Sequence, residues 1–109
     1  MTEILIYREN GYIVGFAAKG HTGYAREGCD VVCSAVSALT QSAVLGITEL
    51  LKLTCAVSVG EGNISCMLEK DISGEDLQNA QLILGTMHLG LKSIADDYKK
   101  YLRITEKEV

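Results

Sequence analysis

One cysteine and one histidine are spaced so that they could do chemistry together. Cys33 stands near the start of an uncharged stretch of small residues, from Val31 to Leu45, which has no proline or glycine and predicts a helix. His21 precedes it in a loop rich in glycine. A helix N-terminus favours the thiolate form of cysteine, and a histidine can accept the thiol proton. Cys33 and His21 are therefore a candidate nucleophile and base.

Asp30 and the glycine loop bear on how that pair would work. Asp30 is predicted to cap the helix with one carboxylate oxygen, which places Cys33 at the third helical position, and its other oxygen could orient His21. Free N–H groups at the helix start would supply part of an oxyanion hole. The loop carries Gly20, Gly23 and Gly28. Glycine allows many backbone conformations, so ordering this loop costs conformational entropy. We therefore expect that another molecule fits against the loop.

The same residues allow interpretations without catalysis. Free cysteine is usually buried and inert, so Cys33 could be a core residue, and His21 could be a surface histidine without a role. Cys29 and Cys33 could form a redox pair. With His21 they could also bind zinc, although structural zinc sites show closer cysteine pairs and four clear ligands. We predict no metal site and no cofactor, since the chain has no P-loop, dinucleotide fingerprint or paired-carboxylate pattern.

The other cysteines and the second histidine are predicted to play no chemical part. Cys55 and Cys66 fall in alternating apolar runs, where free cysteine packs as a small core residue. The irregular spacing of the four cysteines does not suggest a disulfide framework. His88 lies off the apolar stripe of the last predicted helix, so we expect it to be exposed.

Four strands are predicted to position these residues. Asn10-Gly11 is a strong signal for a type I′ hairpin turn, and Gly60-Glu61-Gly62 predicts a second turn. Gly15 predicts a bulge or a point of close packing. The predicted strands are Glu3 to Arg8, Tyr12 to Ala18, Thr54 to Val59 and Asn63 to Glu69.

Two helices complete a ββαββα order. Ser73 and Asp76 fit a capping box at the start of the last helix, and from Thr105 we expect a frayed tail. The first helix should bury a stripe of Val32, Val36, Leu39, Ala43, Gly46 or Ile47, and Leu50. The second should bury Leu77, Ala80, Leu84, Met87, Leu91, Ile94 and Tyr98. The predicted fold is α+β, a mostly antiparallel sheet packed against two helices.

Composition narrows the classes of function. The 109 residues, 48% hydrophobic, predict a single soluble domain over 1–109. A net charge of -4 argues against nucleic acid as a partner. The N-terminus has no positively charged stretch followed by an apolar run, which argues against a secretory signal. The uncharged helix carries too many polar side chains for an isolated membrane span. Because that helix lacks solvating charges, we expect a second copy to help cover it.

The central stretch resembles the signature of the ribosomal-processing cysteine protease (Prp) family. The resemblance lies in Gly20-His-Thr-Gly-Tyr-Ala, then Gly28-x-Asp30-x-Val-Cys33-x-Ala35-Val-Ser37-Ala, and extends to the flanking elements. It implies a cytoplasmic, homodimeric endopeptidase. Such an enzyme removes a short N-terminal extension from large-subunit ribosomal protein number twenty-seven. Independently of the resemblance, we expect no cofactor and no direct contact with nucleic acid or membrane.

The resemblance also implies roles for individual residues. His21 matches the catalytic histidine, Cys33 the nucleophile and Asp30 a motif aspartate beside them. The loop is implied to close over the substrate, and an apolar groove is implied near Cys33. Cys29 stands where the family more often has an acidic or other polar residue. The residues implied to bind substrate are Gly20, Gly23, Tyr24 and Ser37.

Two functions from other classes remain open at this point. One is a non-catalytic module that binds a ribosomal protein through the same groove. The other is a thiol redox switch through Cys29 and Cys33.

Overall fold

Residues 1–20 and 29–109 are described in a computed structural model, Cys29 and Asp30 by their backbone only. Within these residues the chain forms two antiparallel strand pairs, each followed by a helix, and a last strand. The strands are β1 (Thr2–Glu9), β2 (Tyr12–Lys19), β3 (Cys55–Gly60), β4 (Asn63–Leu68) and β5 (Leu102–Glu108). The helices are α1 (Cys29–Leu45), continued by a π-helical turn (Gly46–Leu50), and α2 (Gly74–Asp97).

The strands form one sheet in the order β3-β4-β2-β1-β5. All neighbours in it are antiparallel except β1 and β5, so the predicted α+β class with a mostly antiparallel sheet is confirmed. The buried core lies between this sheet and the two helices.

Strand β5 overturns the prediction of a frayed tail. It pairs in parallel with β1 from Thr2 opposite Leu102 to Arg8 opposite Glu108. Its apolar residues, Leu102 and Ile104, alternate with charged and polar ones, and that mixture concealed a strand. The pairing satisfies the outer edge of β1, which would otherwise carry unpaired backbone groups.

The β1–β2 hairpin agrees with its local signals. Asn10 and Gly11 have φ of 52° and 85°, as a type I′ turn requires. The register shifts where Tyr7 opposes Gly15 and Arg8 opposes Ile13, which confirms the bulge. Gly15 is also a point of close packing, because a Cβ there would lie 2.3 Å from the Met67 Sδ.

Helix α1 buries its predicted stripe except at the end. Val32, Val36, Ala43 and Ile47 lie in the core, but Leu50 is 77% exposed, so that part of the prediction was wrong. The physical reason is the π-helical turn, in which the Leu51 N–H donates to the Gly46 carbonyl at 2.9 Å. An i→i+5 turn contains an extra residue and rotates the following side chains away from the α-helical stripe.

Within residues 1–20 and 31–109, the outer side of α1 is not covered by other elements. Val31–Leu50 is long and apolar enough to cross a membrane by length and composition, with 28% of the window buried. This is weak support for a span, since helices of soluble cores pass the same test. One side of α1 packs in the core while the other is exposed and uncharged.

Helix α2 follows the predicted stripe from Leu77 to Ile94, but Tyr98 is the C-cap residue beyond the helix and is 38% exposed, so that part of the prediction was wrong. Two other expectations also fail. Ser73 is the N-cap residue but makes no side-chain capping hydrogen bond, so the capping box was wrong. Its backbone is extended, and Gly74 at φ +60° turns the chain into the helix. His88 is only 7% exposed, against the prediction. Because the unpredicted β5 lies against α2, that side of the helix is covered.

Candidate active site

Cys33 lies in α1 as the fifth residue of the described helix, not the third helical position. The difference arises because Cys29 and Asp30 already have helical backbone, so Asp30 lies within the first turn instead of preceding it. A carboxylate in the first turn still complements the positive end of the helix dipole. The Cys33 side chain is half-buried, so the interpretation as a sealed core cysteine is not favoured.

The Cys33 thiol contacts a residue that is distant in the sequence, at the start of β1. Its Sγ lies 3.7 Å from the Thr2 Oγ1, and either atom could be the donor. Thr2 is 5% exposed and begins β1, so its hydroxyl is held against the sulfur. The sequence analysis missed Thr2, since nothing in its local pattern signals contact with residue 33.

Gly20 packs against Thr2, next to this contact. Its N–H donates to the Gly62 carbonyl at 2.9 Å, which ties the end of β2 to the β3–β4 turn. A Cβ on Gly20 would lie 2.6 Å from the Thr2 Oγ1 and 3.0 Å from two Thr2 carbons. Glycine is therefore required here for space, and the structure connects Gly20 to Cys33 through Thr2.

The remaining predicted site residues fall into two groups. Ser37 lies one helical turn beyond Cys33, exposed to solvent, where its hydroxyl accepts a hydrogen bond from the Gln41 Nε2 at 2.7 Å. His21, Gly23 and Tyr24 lie outside the described residues. His21 is the residue that follows Gly20 in the chain.

Cys55 and Cys66 behave as the predicted packing residues. Their sulfurs lie 3.5 Å apart, Cys66 is buried and Cys55 is half-buried. Burial raises the pKa of the Cys66 thiol to about 12, so it stays protonated near neutral pH. Among the described side chains no three His, Cys, Asp or Glu groups gather as metal ligands. This does not test the zinc alternative, which requires His21.

A titratable cluster of buried His88 and the more exposed Arg8, Lys92 and Glu106 lies away from Cys33. Burial lowers the pKa of His88, and the neighbouring Arg8 and Lys92 charges lower it further while Glu106 opposes them. Arg8 and Glu106 form an ion pair, which lowers the pKa of the Glu106 carboxyl. The Arg8–Glu106 ion pair links β1 to β5.

The opposite end of the sheet carries a cavity of about 470 Å³. Its lining includes residues of the β1–β2 turn and the start of α2, among them Asn10, Tyr12 and Leu77. Cys33 contacts Thr2 at the other end of β1. A strand rises about 3.3 Å per residue, so the two places are roughly 20 Å apart. This cavity is therefore separate from the candidate active site.

Comparisons with known proteins identify the family of this chain. The family described as "Cysteine protease Prp" matches residues 1–103. The ribosomal processing cysteine protease Prp of Bacillus subtilis (strain 168) is 33% identical over 95 residues, covering 85% of each chain.

Two solved structures resemble the whole described fold. SMU.848 from Streptococcus mutans superimposes with a TM-score of 0.88 at 23% identity, covering 100% of this chain and 96% of the other. The essential ribosomal processing protease Prp from S. aureus, with a covalently linked product peptide, gives a TM-score of 0.83 at 25% identity. That match covers 98% of this chain and 100% of the S. aureus chain.

Proposed function

Because this chain belongs to the ribosomal processing cysteine protease (Prp) family, we propose that it cuts a ribosomal protein precursor with a Cys33–His21 dyad. The proposed substrate is large-subunit ribosomal protein number twenty-seven, from which the enzyme removes an N-terminal extension. The observation that carries the proposal is the placement of the Cys33 sulfur. It is half-buried near the start of α1 and touches Thr2, beside the strand end from which the chain continues into His21.

Covalent catalysis by Cys33 is supported by a second line of argument. The S. aureus relative has been solved with a covalently linked product peptide. Among the cysteines with described side chains, Cys66 is buried with a raised pKa and Cys55 lies against it. Cys33 is the remaining one, and it matches the nucleophile position of the family signature. It is therefore the thiol to which we assign the attack.

The proposed reaction passes through a thioester. His21 takes the proton of the Cys33 thiol, and the thiolate attacks the scissile carbonyl carbon. Backbone N–H groups near the start of α1 stabilise the oxyanion. His21 then gives its proton to the leaving amine, and the C–N bond breaks. Water hydrolyses the thioester, which releases the second product and restores the thiol.

The other signature residues are assigned supporting parts. Asp30 orients His21 or stabilises the helix start, where its charge complements the dipole. Gly20, Gly23, Tyr24 and Ser37 are proposed to contact the substrate. For Ser37 the support is its exposure one turn from Cys33, and for Gly20 its contact with Thr2.

The test is incubation with the precursor, followed by mass measurement of the products. The wild-type protein should release the N-terminal extension, and Cys33→Ala should release none while keeping the wild-type circular dichroism spectrum. Cys55→Ala is the matched control, a half-buried cysteine outside the site, and should still cut. Cleavage by Cys33→Ala at the wild-type rate would remove the dyad assignment. An uncut precursor with wild-type protein would remove the substrate assignment.

We also propose a cytoplasmic homodimer that makes no direct contact with nucleic acid or membrane. Support comes from the exposed, uncharged outer side of α1, which includes Ala38, Gln41 and Leu45, and from the net charge of -4. Leu45→Glu should convert a dimer into a monomer in sedimentation equilibrium at micromolar concentration. A monomeric wild-type protein under those conditions would contradict the dimer.

A further inference from the structure

The hydroxyl of Thr2 is a buried polar group beside the proposed nucleophile. Thr2 is 5% exposed, and its Oγ1 lies 3.7 Å from the Cys33 Sγ. Buried hydroxyls normally have a hydrogen-bond partner, and within residues 1–20 and 31–109 the sulfur is the partner of this one. Sulfur is larger than oxygen and a weaker hydrogen-bonding atom, so a longer contact is expected. Thr2 therefore makes a polar contact with an atom that the proposed reaction requires.

The position of the Thr2 side chain is fixed by its surroundings. Its backbone N–H donates to the Tyr101 carbonyl at 2.9 Å, where β5 begins beside β1. Gly20 lies so close that a Cβ there would be 2.6 Å from the Thr2 Oγ1. A β-branched side chain is also stiff at χ1, which limits the rotations open to the hydroxyl. The Oγ1 is therefore held in one place against the Cys33 sulfur.

The two protonation states of Cys33 use this contact differently. As a thiol, the sulfur can donate its proton to the hydroxyl or accept one from it, and either atom could be the donor. A thiolate has no proton and can only accept, so the Thr2 hydroxyl must then be the donor. Hydrogen bonds to charged acceptors are stronger than those between neutral groups. The contact is therefore strongest when the sulfur is anionic.

We propose that Thr2 is a positioning residue for the nucleophile, whose hydroxyl holds the Cys33 sulfur in place and donates a hydrogen bond to it whenever it is anionic. The proposal rests on the proposed function, in which Cys33 attacks the scissile carbonyl. The sulfur is anionic twice in that reaction, after His21 takes the thiol proton and again when the C–S bond of the thioester breaks. Thr2 keeps its own proton throughout. With 5% of its surface exposed, Thr2 acts through Cys33 and has almost no surface to offer a substrate.

Two substitutions separate the hydroxyl of Thr2 from its methyl group. Thr2→Val keeps the β-branching and replaces the hydroxyl with a second methyl group. Thr2→Ser keeps the hydroxyl and removes the buried methyl group. Each protein is measured for kcat and KM on the precursor, for its melting temperature, and for alkylation of Cys33.

Alkylation uses iodoacetamide at about pH 6, where an ordinary thiol is mostly protonated, followed by peptide mass mapping. Cys55 in the same sample is the internal control. It is half-buried like Cys33, but its sulfur contacts Cys66 instead of Thr2.

Activity should follow the hydroxyl, and stability should follow the methyl group. Thr2→Val should lower kcat about tenfold, the low end for loss of a hydrogen bond to a charged group, with KM unchanged. It should slow alkylation of Cys33 about threefold, because less thiolate is present and the greater nucleophilicity of each thiolate offsets only part of that loss. Thr2→Ser should keep most of the wild-type kcat, while loss of a buried methyl group lowers its melting temperature by roughly 4–8 °C. Alkylation of Cys55 should be equal in all three proteins.

Three results would overturn the proposal. A wild-type kcat in Thr2→Val would show that the hydroxyl does nothing for the sulfur. An equal loss of kcat in Thr2→Ser would make packing the cause, and a parallel change in the alkylation of Cys33 and Cys55 would indicate a general loosening of the fold. The proposed function fails separately, if the wild-type protein leaves the precursor uncut or Cys33→Ala cuts it. Alkylation needs no substrate, so the comparison of Thr2→Val with Thr2→Ser then still decides whether the hydroxyl acts on the sulfur.

Discussion

Replacing Gly20 with alanine perturbs the candidate active site through packing alone. The new Cβ would lie 2.6 Å from the Thr2 Oγ1, where ordinary contacts begin at 3.4 Å, so the atoms must separate by about 0.8 Å. Thr2 is buried, and its N–H is bound to the Tyr101 carbonyl at 2.9 Å. Its side chain is also short, so the strain reaches the backbone of β1 or β2.

The magnitude follows from the size of this clash. Overpacking of a buried site costs about 1–3 kcal/mol, which lowers the melting temperature of a domain of this size by roughly 4–12 °C. The Thr2 hydroxyl also touches the Cys33 sulfur. A displacement of about 1 Å in a catalytic site can cost roughly a hundredfold in rate, so we expect kcat/KM to fall ten- to a hundredfold.

Thermal unfolding and peptide cleavage are the assays, with two further variants. In a Thr2→Ala background two of the three clashing atoms are absent, so Gly20→Ala should cost much less stability there. Gly85→Ala is the control, since a Cβ at that position in α2 meets nothing within 4 Å. Alanine there should raise the free energy of unfolding by about 0.5–1 kcal/mol, because it favours the helix more than glycine does. An unchanged melting temperature for Gly20→Ala, or an equal loss in both backgrounds, would refute the packing argument.

Three more outcomes can be measured by denaturation. Gly15→Ala should lower the free energy of unfolding by about 2–3 kcal/mol, because its Cβ would lie 2.3 Å from the Met67 Sδ and 2.5 Å from the Cys66 carbonyl oxygen. A denaturation midpoint equal to that of the wild-type protein would contradict the close packing. Deleting residues 102–109 should unfold most of the protein at 37 °C, because it removes buried Leu102 and one of the two strands that pair with β1. A truncated chain of wild-type stability would mean that β5 contributes nothing. Burial lowers the pKa of His88 in the folded protein. Below about pH 6.5, the ordinary pKa of histidine, the unfolded chain therefore binds a proton that the folded chain does not, and the free energy of unfolding should fall as the pH drops. His88→Gln should show a shallower fall between pH 7 and 5, and equal slopes would exclude the histidine as the cause.

Local chemistry determined much of what could be read along the chain. Asn10-Gly11 predicts its own turn, because only residues that tolerate positive φ fit a type I′ turn. The apolar stripe of α2 and the alternation of the first four strands reflect the periods of helix and strand. The stretch from Gly20 to Ala38 indicated the family through its resemblance to the Prp signature, and the family model that matches residues 1–103 agrees.

Contacts between residues far apart in the chain were decided only by the tertiary structure. The sequence did not indicate that Leu102 would pair with Thr2, because that depends on which edge of the finished sheet remains open. The burial of His88 depends on the same strand. Leu50 points outward because a single π-helical turn changes the phase of the helix, and no local pattern marked that turn.

In the candidate site, too, some residues could be identified from the sequence and others only from the structure. Cys33 and Gly20 were identified from residue type and spacing, since a thiol near a helix N-terminus and a glycine at a strand end have local reasons. Thr2 was not, because its hydroxyl reaches the sulfur only after β1 and α1 pack together. Sequence thus determined which groups could react, while packing between distant elements decided which neighbours they have, because burial and contact depend on the whole fold.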